Sequence, residues 1–67
     1  MTNKEYTNSQ IAAVIDEYIH KDICRKILKR KFIDGKTYEN IAEEFDLSTR
    51  HVQRIIYKYE MTVFKHL

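Results

Sequence analysis

Three histidines, one cysteine and two adjacent carboxylates are the side chains in this 67-residue sequence best suited to catalysis or metal binding. Their spacing argues against both. His20, His51 and His66 are scattered, with no second His or Cys at metal-ligand spacing. Cys24 has no internal disulfide partner, and Ile23, Ile27 and Leu28 around it predict a small buried hydrophobe. A lone cysteine also fits a reducing, cytoplasmic setting. Glu43 and Glu44 are neighbours, so on a helix they diverge by about 100° and cannot act as an acid/base pair. Gly35 is the sole glycine, which leaves no glycine-rich loop to cradle a phosphate. No catalytic residue, metal site or cofactor is expected, and the chain does not read as an enzyme.

The remaining chemistry is cationic. A formal net charge of +2 is too small to identify a nucleic-acid binder, but its distribution is uneven. Residues 21–36 carry seven Lys/Arg against Asp22 and Asp34, and residues 48–67 carry four against Glu60. Residues 1–20 sum to −2 and residues 37–47 to −4. Two basic segments flanking an acidic one can produce a one-sided field.

These charges sit around the stretch from Thr37 to Tyr59, which predicts two helices meeting at a corner. Ile41, Ala42 and Phe45 fall on one face of the first, leaving Glu39, Glu43 and Glu44 toward water. Val52, Ile55, Ile56 and Tyr59 repeat the spacing of a buried stripe on the second. Asp46, Leu47 and Ser48 lie between them, with Leu47 as an apolar plug and Ser48 as a helix N-cap. Ala42 suits a steep crossing that tolerates little more than a methyl group. Together these features fit a DNA-binding helix-turn-helix spanning residues 37–59. Thr37 caps the first of the two helices, whose free N–H groups can hold a phosphate oxygen.

Two further helices precede this unit. Thr7 and Gln10 have the capping-box form, ahead of a helix from Asn8 to about His20 with Ile11, Val14, Ile15, Tyr18 and Ile19 as its apolar stripe. A second helix, Asp22 to Ile33, places Ile23, Cys24, Ile27, Leu28 and Phe32 inward. Arg25, Lys26, Lys29 and Arg30 are then left on the outer surface, either solvated or near DNA phosphates. Gly35 ends this helix in the left-handed conformation. Residues 1–6 read as a frayed arm. The last helix runs from Thr49 through Tyr59 toward Lys65, with a tail past the core that is a candidate contact for a partner or a second copy. The expectation is one all-α, four-helix domain over residues 1–67. With no signal-peptide core and no membrane-length apolar run, a soluble cytoplasmic protein is expected.

The segment RKILKRKFIDGKTYENIAEEFDLSTRHVQRIIYKYE resembles region four of bacterial sigma factors and its free-standing relatives in phages and mobile elements. Leu28, Arg30, Phe32, Gly35, Thr37-Tyr38, Ile41-Ala42, Phe45, Leu47-Ser48, Val52 and Ile55 carry the resemblance, which covers residues 22–60. It implies a transcriptional role, with the N-terminal half of the last helix in the major groove. The DNA-binding set it implies, together with the two caps, is Thr37, Ser48, Thr49, Arg50, His51, Gln53, Arg54 and Lys58. Arg50 and Arg54 can each read a guanine through paired hydrogen bonds and Gln53 an adenine, while Thr49 or His51 can hold a phosphate or a base edge. Primary sigma factors carry an acidic residue where Arg50 stands and a Gln where Arg54 stands, so a different target is expected. The partners implied are double-stranded DNA and RNA polymerase. The alternative is a module that engages RNA polymerase or another host factor without reading DNA, and a homodimer through the tail is a third reading.

Overall fold

The computed structural model describes residues 6–67, which form four helices: α1 (Asn8–Tyr18), α2 (Asp22–Phe32), α3 (Tyr38–Phe45) and α4 (Thr49–Lys65). The expected arm lies outside the described residues except for Tyr6, which is half-buried against the core rather than free.

Three helix starts are fixed by a side-chain oxygen at the N-cap. The Thr7 hydroxyl accepts from the Gln10 backbone N–H at 3.1 Å while Gln10 Oε1 accepts from the Thr7 N–H at 2.9 Å, completing a capping box. Thr37 and Ser48 each accept the N–H three residues on, from Asn40 and His51, at 3.1 Å. Lys21, ahead of α2, makes no such cap.

The junction between α1 and α2 carries neither Gly nor Pro, and Arg25 supplies its stabilisation. The Arg25 guanidinium reaches back from the first turn of α2 to donate to the Ile19 carbonyl and, at 2.9 Å, to the Asp16 carbonyl. These are carbonyls at the end of α1 that have no helical partner. The helix therefore stops at Tyr18, two residues earlier than expected, and Ile19 turns extended (φ −108°, ψ 122°) with its side chain fully buried.

The α2–α3 turn rests on Gly35, whose φ of 71° lies in the left-handed region. A Cβ there would meet no neighbouring atom within 4 Å, so backbone conformation alone favours glycine. Lys36 then returns its N–H to the Arg30 carbonyl at 3.1 Å. At the end of α3 the left-handed residue is Asp46 (φ 57°, ψ 46°). The Leu47 N–H donates to the Ala42 carbonyl at 2.9 Å and the Asp46 N–H to the Glu43 carbonyl at 3.4 Å, the paired closure of a Schellman motif.

The core draws on every helix: Ile11, Ile15 and Ile19; Cys24, Ile27 and Leu28; Ile41 and Ala42; Val52, Ile56 and Val63. No polar or charged side chain is buried with them among the described residues. Cys24 is the small buried hydrophobe expected. Ile23 is not inward as expected but 43% exposed, because the buried face of α2 is centred on Cys24, Ile27 and Leu28. The tail of α4 does not run free either. Val63 is fully buried, Phe64 meets Phe32 edge-on at 5.1 Å between ring centroids, and His66 stacks on Tyr18 at 3.7 Å. The last turns of α4 thus close over the ends of α1 and α2.

Candidate nucleic-acid interface

Long-range pairing decides which cations are available to a ligand. The sequence leaves the basic face of α2 either solvated or near DNA phosphates; in the structure most of its charge is answered from within the fold. Lys29 Nζ lies 2.8 Å from an Asp16 carboxylate oxygen, bridging α2 to α1. That hydrogen bond holds the Asp16 carboxyl below its ordinary range. Arg30 donates from Nε to Glu44 at 2.9 Å, bridging α2 to α3, and lies 3.5 Å from Asp34. Lys26 lies 3.4 Å from Asp22. Arg25 is spent on the α1 carbonyls, and Lys31 donates to the Lys36 carbonyl at 3.4 Å while its ammonium sits 4.3 Å from the centre of the Tyr38 ring.

The cations of α4 are left over. Arg50, Arg54 and Lys58 are exposed, and none forms an ion pair among the described residues. They stand four residues apart, so they lie along one side of the helix, one turn after another. His51 is exposed beside them. Lys58 is exposed, with its Nζ 5.3 Å from the centre of the Tyr59 ring. Thr49 and Gln53, expected in the same set, are half-buried on the flanks.

Ser48 and Thr37 have a prior task. Each hydroxyl oxygen already accepts a backbone N–H as a helix cap, and toward a phosphate it can still donate its O–H. The first turn of α4 carries no acidic residue, and its N-terminal partial positive charge adds to that of Arg50 and Arg54.

Two residues outside the expected set adjoin it. Lys36 is exposed immediately before Thr37, and it too forms no ion pair among the described residues. Tyr38, the first residue of α3, meets Tyr57 of α4 at 6.3 Å in an edge-to-face pair. Partial burial beside Tyr57 and Glu60 pushes the Tyr38 phenol up from its ordinary range. The pair brings the start of α3, with Lys36 and Thr37, against the middle of α4. Tyr38 sat in the sequence motif, but its partner lies nineteen residues on, beyond the reach of local spacing.

Among the described residues, no group of three or more His, Cys, Asp or Glu side chains is placed to hold a metal ion, and no helix is long and apolar enough to cross a membrane. No protein family, curated protein or solved structure matches the chain. The four helices and their capped corner define a compact all-α domain.

Proposed function

We propose that this chain is a DNA-binding transcriptional regulator in which α3 and α4 form a helix-turn-helix and the N-terminal half of α4 enters the major groove. The observation that carries this reading is the contrast between two basic helices. The cations of α2 are largely consumed by Asp16, Asp22, Asp34 and Glu44, whereas Arg50, Arg54 and Lys58 on α4 stand exposed and unpaired among the described residues. The fold withholds charge on one face and leaves it on the helix whose capped N-terminus can approach a duplex. Arg50 and Arg54 are assigned to base edges, and Lys36, Lys58 and Thr37 to phosphates. The sequence resemblance to sigma region four supports the transcriptional role and makes RNA polymerase the proposed protein partner.

The four cations so assigned, Lys36, Arg50, Arg54 and Lys58, set the scale of the test. With Lys36 and Lys58 at phosphates and Arg50 and Arg54 adding their charge from the groove, the slope of log affinity against log salt is expected between about −2 and −4, a loss of roughly tenfold to a hundredfold between 50 and 200 mM salt. Fluorescence anisotropy with a labelled duplex measures it. Binding that is absent at low salt removes the reading.

A second reading has its own observation: Tyr57, Met61 and Phe64 are exposed on α4, and Glu39 and Glu43 are exposed on α3. A protein-binding module acting on RNA polymerase or another host factor would use such surfaces without touching DNA. Retention of a protein from nuclease-treated lysate, with no salt-sensitive DNA binding, favours it.

A further inference from the structure

α4 presents one outward seam of two characters. Arg50, Arg54, Tyr57, Met61 and Phe64 follow at intervals of four, three, four and three residues, the alternation that keeps a seam in line between two supercoiled helices. Its first two members are cationic; the last three are apolar and exposed by 57, 79 and 51%. Tyr57 and Phe64 each lean edge-on against a ring of their own chain, Tyr38 and Phe32, which fixes where they stand. Met61 between them is almost wholly uncovered. Glu60, Thr62, Phe64 and Lys65 of the same helix surround it on an open surface.

We propose that α4 of a second copy occupies this seam, parallel and in register. The flanking charges select both the occupant and its direction. With Tyr57 and Phe64 at d positions and Met61 at a, Glu60 falls at g, and Lys58 and Lys65 at e. In a parallel pair each g residue faces the e residue five positions further on in its partner, so Glu60 of each copy meets Lys65 of the other. Neither residue has an ion-pair partner among the described residues of its own chain. An antiparallel pair would set g against g and e against e, placing Glu60 near Glu60 and lysine near lysine. The seam is therefore complementary to itself in one direction only.

Fewer than two heptads take part, so the contact falls short of the roughly 800 Å² per partner of a standard interface. The pair is accordingly weak in free solution and strengthened when both copies are held together. Parallel pairing also sends Arg50 and Arg54 of both copies out of the same end, as the basic segments of a forked dimer leave their zipper. That last consequence rests on the DNA-binding reading; the pairing itself does not.

Cysteine crosslinking tests the pairing without DNA. Met61→Cys, oxidised mildly at a few hundred micromolar, is expected to give a disulfide-linked dimer, while Glu17→Cys on the exposed face of α1 stays monomeric; Cys24 is buried and does not compete. Added to the Met61→Cys protein, Glu60→Lys and Lys65→Glu should each suppress the dimer. A mixture of those two variants should restore it as a mixed dimer, because both cross-pairs become attractive again. Far-UV circular dichroism confirms that each variant is folded. No crosslink at position 61 overturns the second copy as occupant, and a crosslink with no advantage for the mixture overturns the parallel register. A protein that stays monomeric but binds DNA salt-sensitively loses this inference while keeping the proposed function.

Discussion

Arg30 directs its Nε at both carboxylate oxygens of Glu44, at 2.9 and 3.2 Å, tying α2 to α3 across fourteen residues of sequence. The pair joins a basic segment to the acidic one beside it, so their charges cancel locally instead of building a field. What remains to attract a polyanion is concentrated on α4. Both partners are about one-third exposed, so the pair is worth only ~0.2–1 kcal/mol of stability. Glu44→Gln is expected to cost no more than that in denaturant unfolding. It should also tighten binding to any duplex at low salt and steepen the salt slope by at most about one counterion, since it removes one of the two carboxylates at Arg30 and leaves Asp34 at 3.5 Å. An unchanged salt dependence would place Arg30 away from the DNA.

Arg25 is the residue on which the α1–α2 junction depends. Its two contacts satisfy backbone carbonyls at a helix end, and hydrogen bonds from charged groups are worth more than neutral ones. Arg25→Met keeps the aliphatic stem and removes the donors. We expect a loss of about 1–3 kcal/mol by urea unfolding. Lys26→Met, which removes a cation paired only at the surface, should change stability by less than about 1 kcal/mol. Equal effects from the two would contradict the assigned role.

Asp46 holds a left-handed backbone that glycine adopts without cost and other L-residues resist. Replacement by Gly should stabilise the domain by about 0.5–1 kcal/mol, since relief of the strained backbone exceeds the added flexibility of the unfolded chain. Asp46→Val should destabilise it, a β-branched residue being least tolerant of that region. Thermal unfolding of the three proteins gives the order directly, with Gly highest and Val lowest.

Asp16 carries the pH dependence of the α1–α2 contact. The hydrogen bond from Lys29 lowers its pKa in the folded protein, so the carboxylate binds fewer protons folded than unfolded. Its stabilising contribution is full above the ordinary carboxylate range and is lost as pH falls through that range to the lowered value. An NMR titration of the Asp16 carboxyl should give a pKa below that of an unperturbed aspartate, and Lys29→Met should raise it back. A titration indifferent to Lys29 would rule out the pair in solution.

What was legible in the sequence is what short-range rules govern. Thr7, Thr37 and Ser48 read as caps because a side-chain oxygen three residues ahead of an N–H has one natural use. α3 was expected from Tyr38 to Phe45 and is observed so, and α4 ends where its apolar spacing does. Misreadings came where a partner is distant in sequence. The roles of Lys29, Arg30 and Arg25 depend on Asp16, Glu44 and two carbonyls of α1, and a helical wheel of α2 contains none of them. Phe64 read as part of a tail because Phe32, which receives it, lies on another helix, and the stacking of His66 on Tyr18 was not foreseen for the same reason. The candidate site was legible as a set of side chains on α4. Which cations stay available was not, because that depends on pairings made across the fold.

The proposed reading of base edges by Arg50 and Arg54 on α4 is tested most directly by selection of bound duplexes from random DNA. Selection with the wild-type chain should enrich a defined site containing guanine. On that site Arg50→Ala and Arg54→Ala should each cost about 1–3 kcal/mol and relax preference at one position, while binding to scrambled DNA falls much less. No enriched sequence, or an equal loss on every duplex, would contradict base reading by these two arginines.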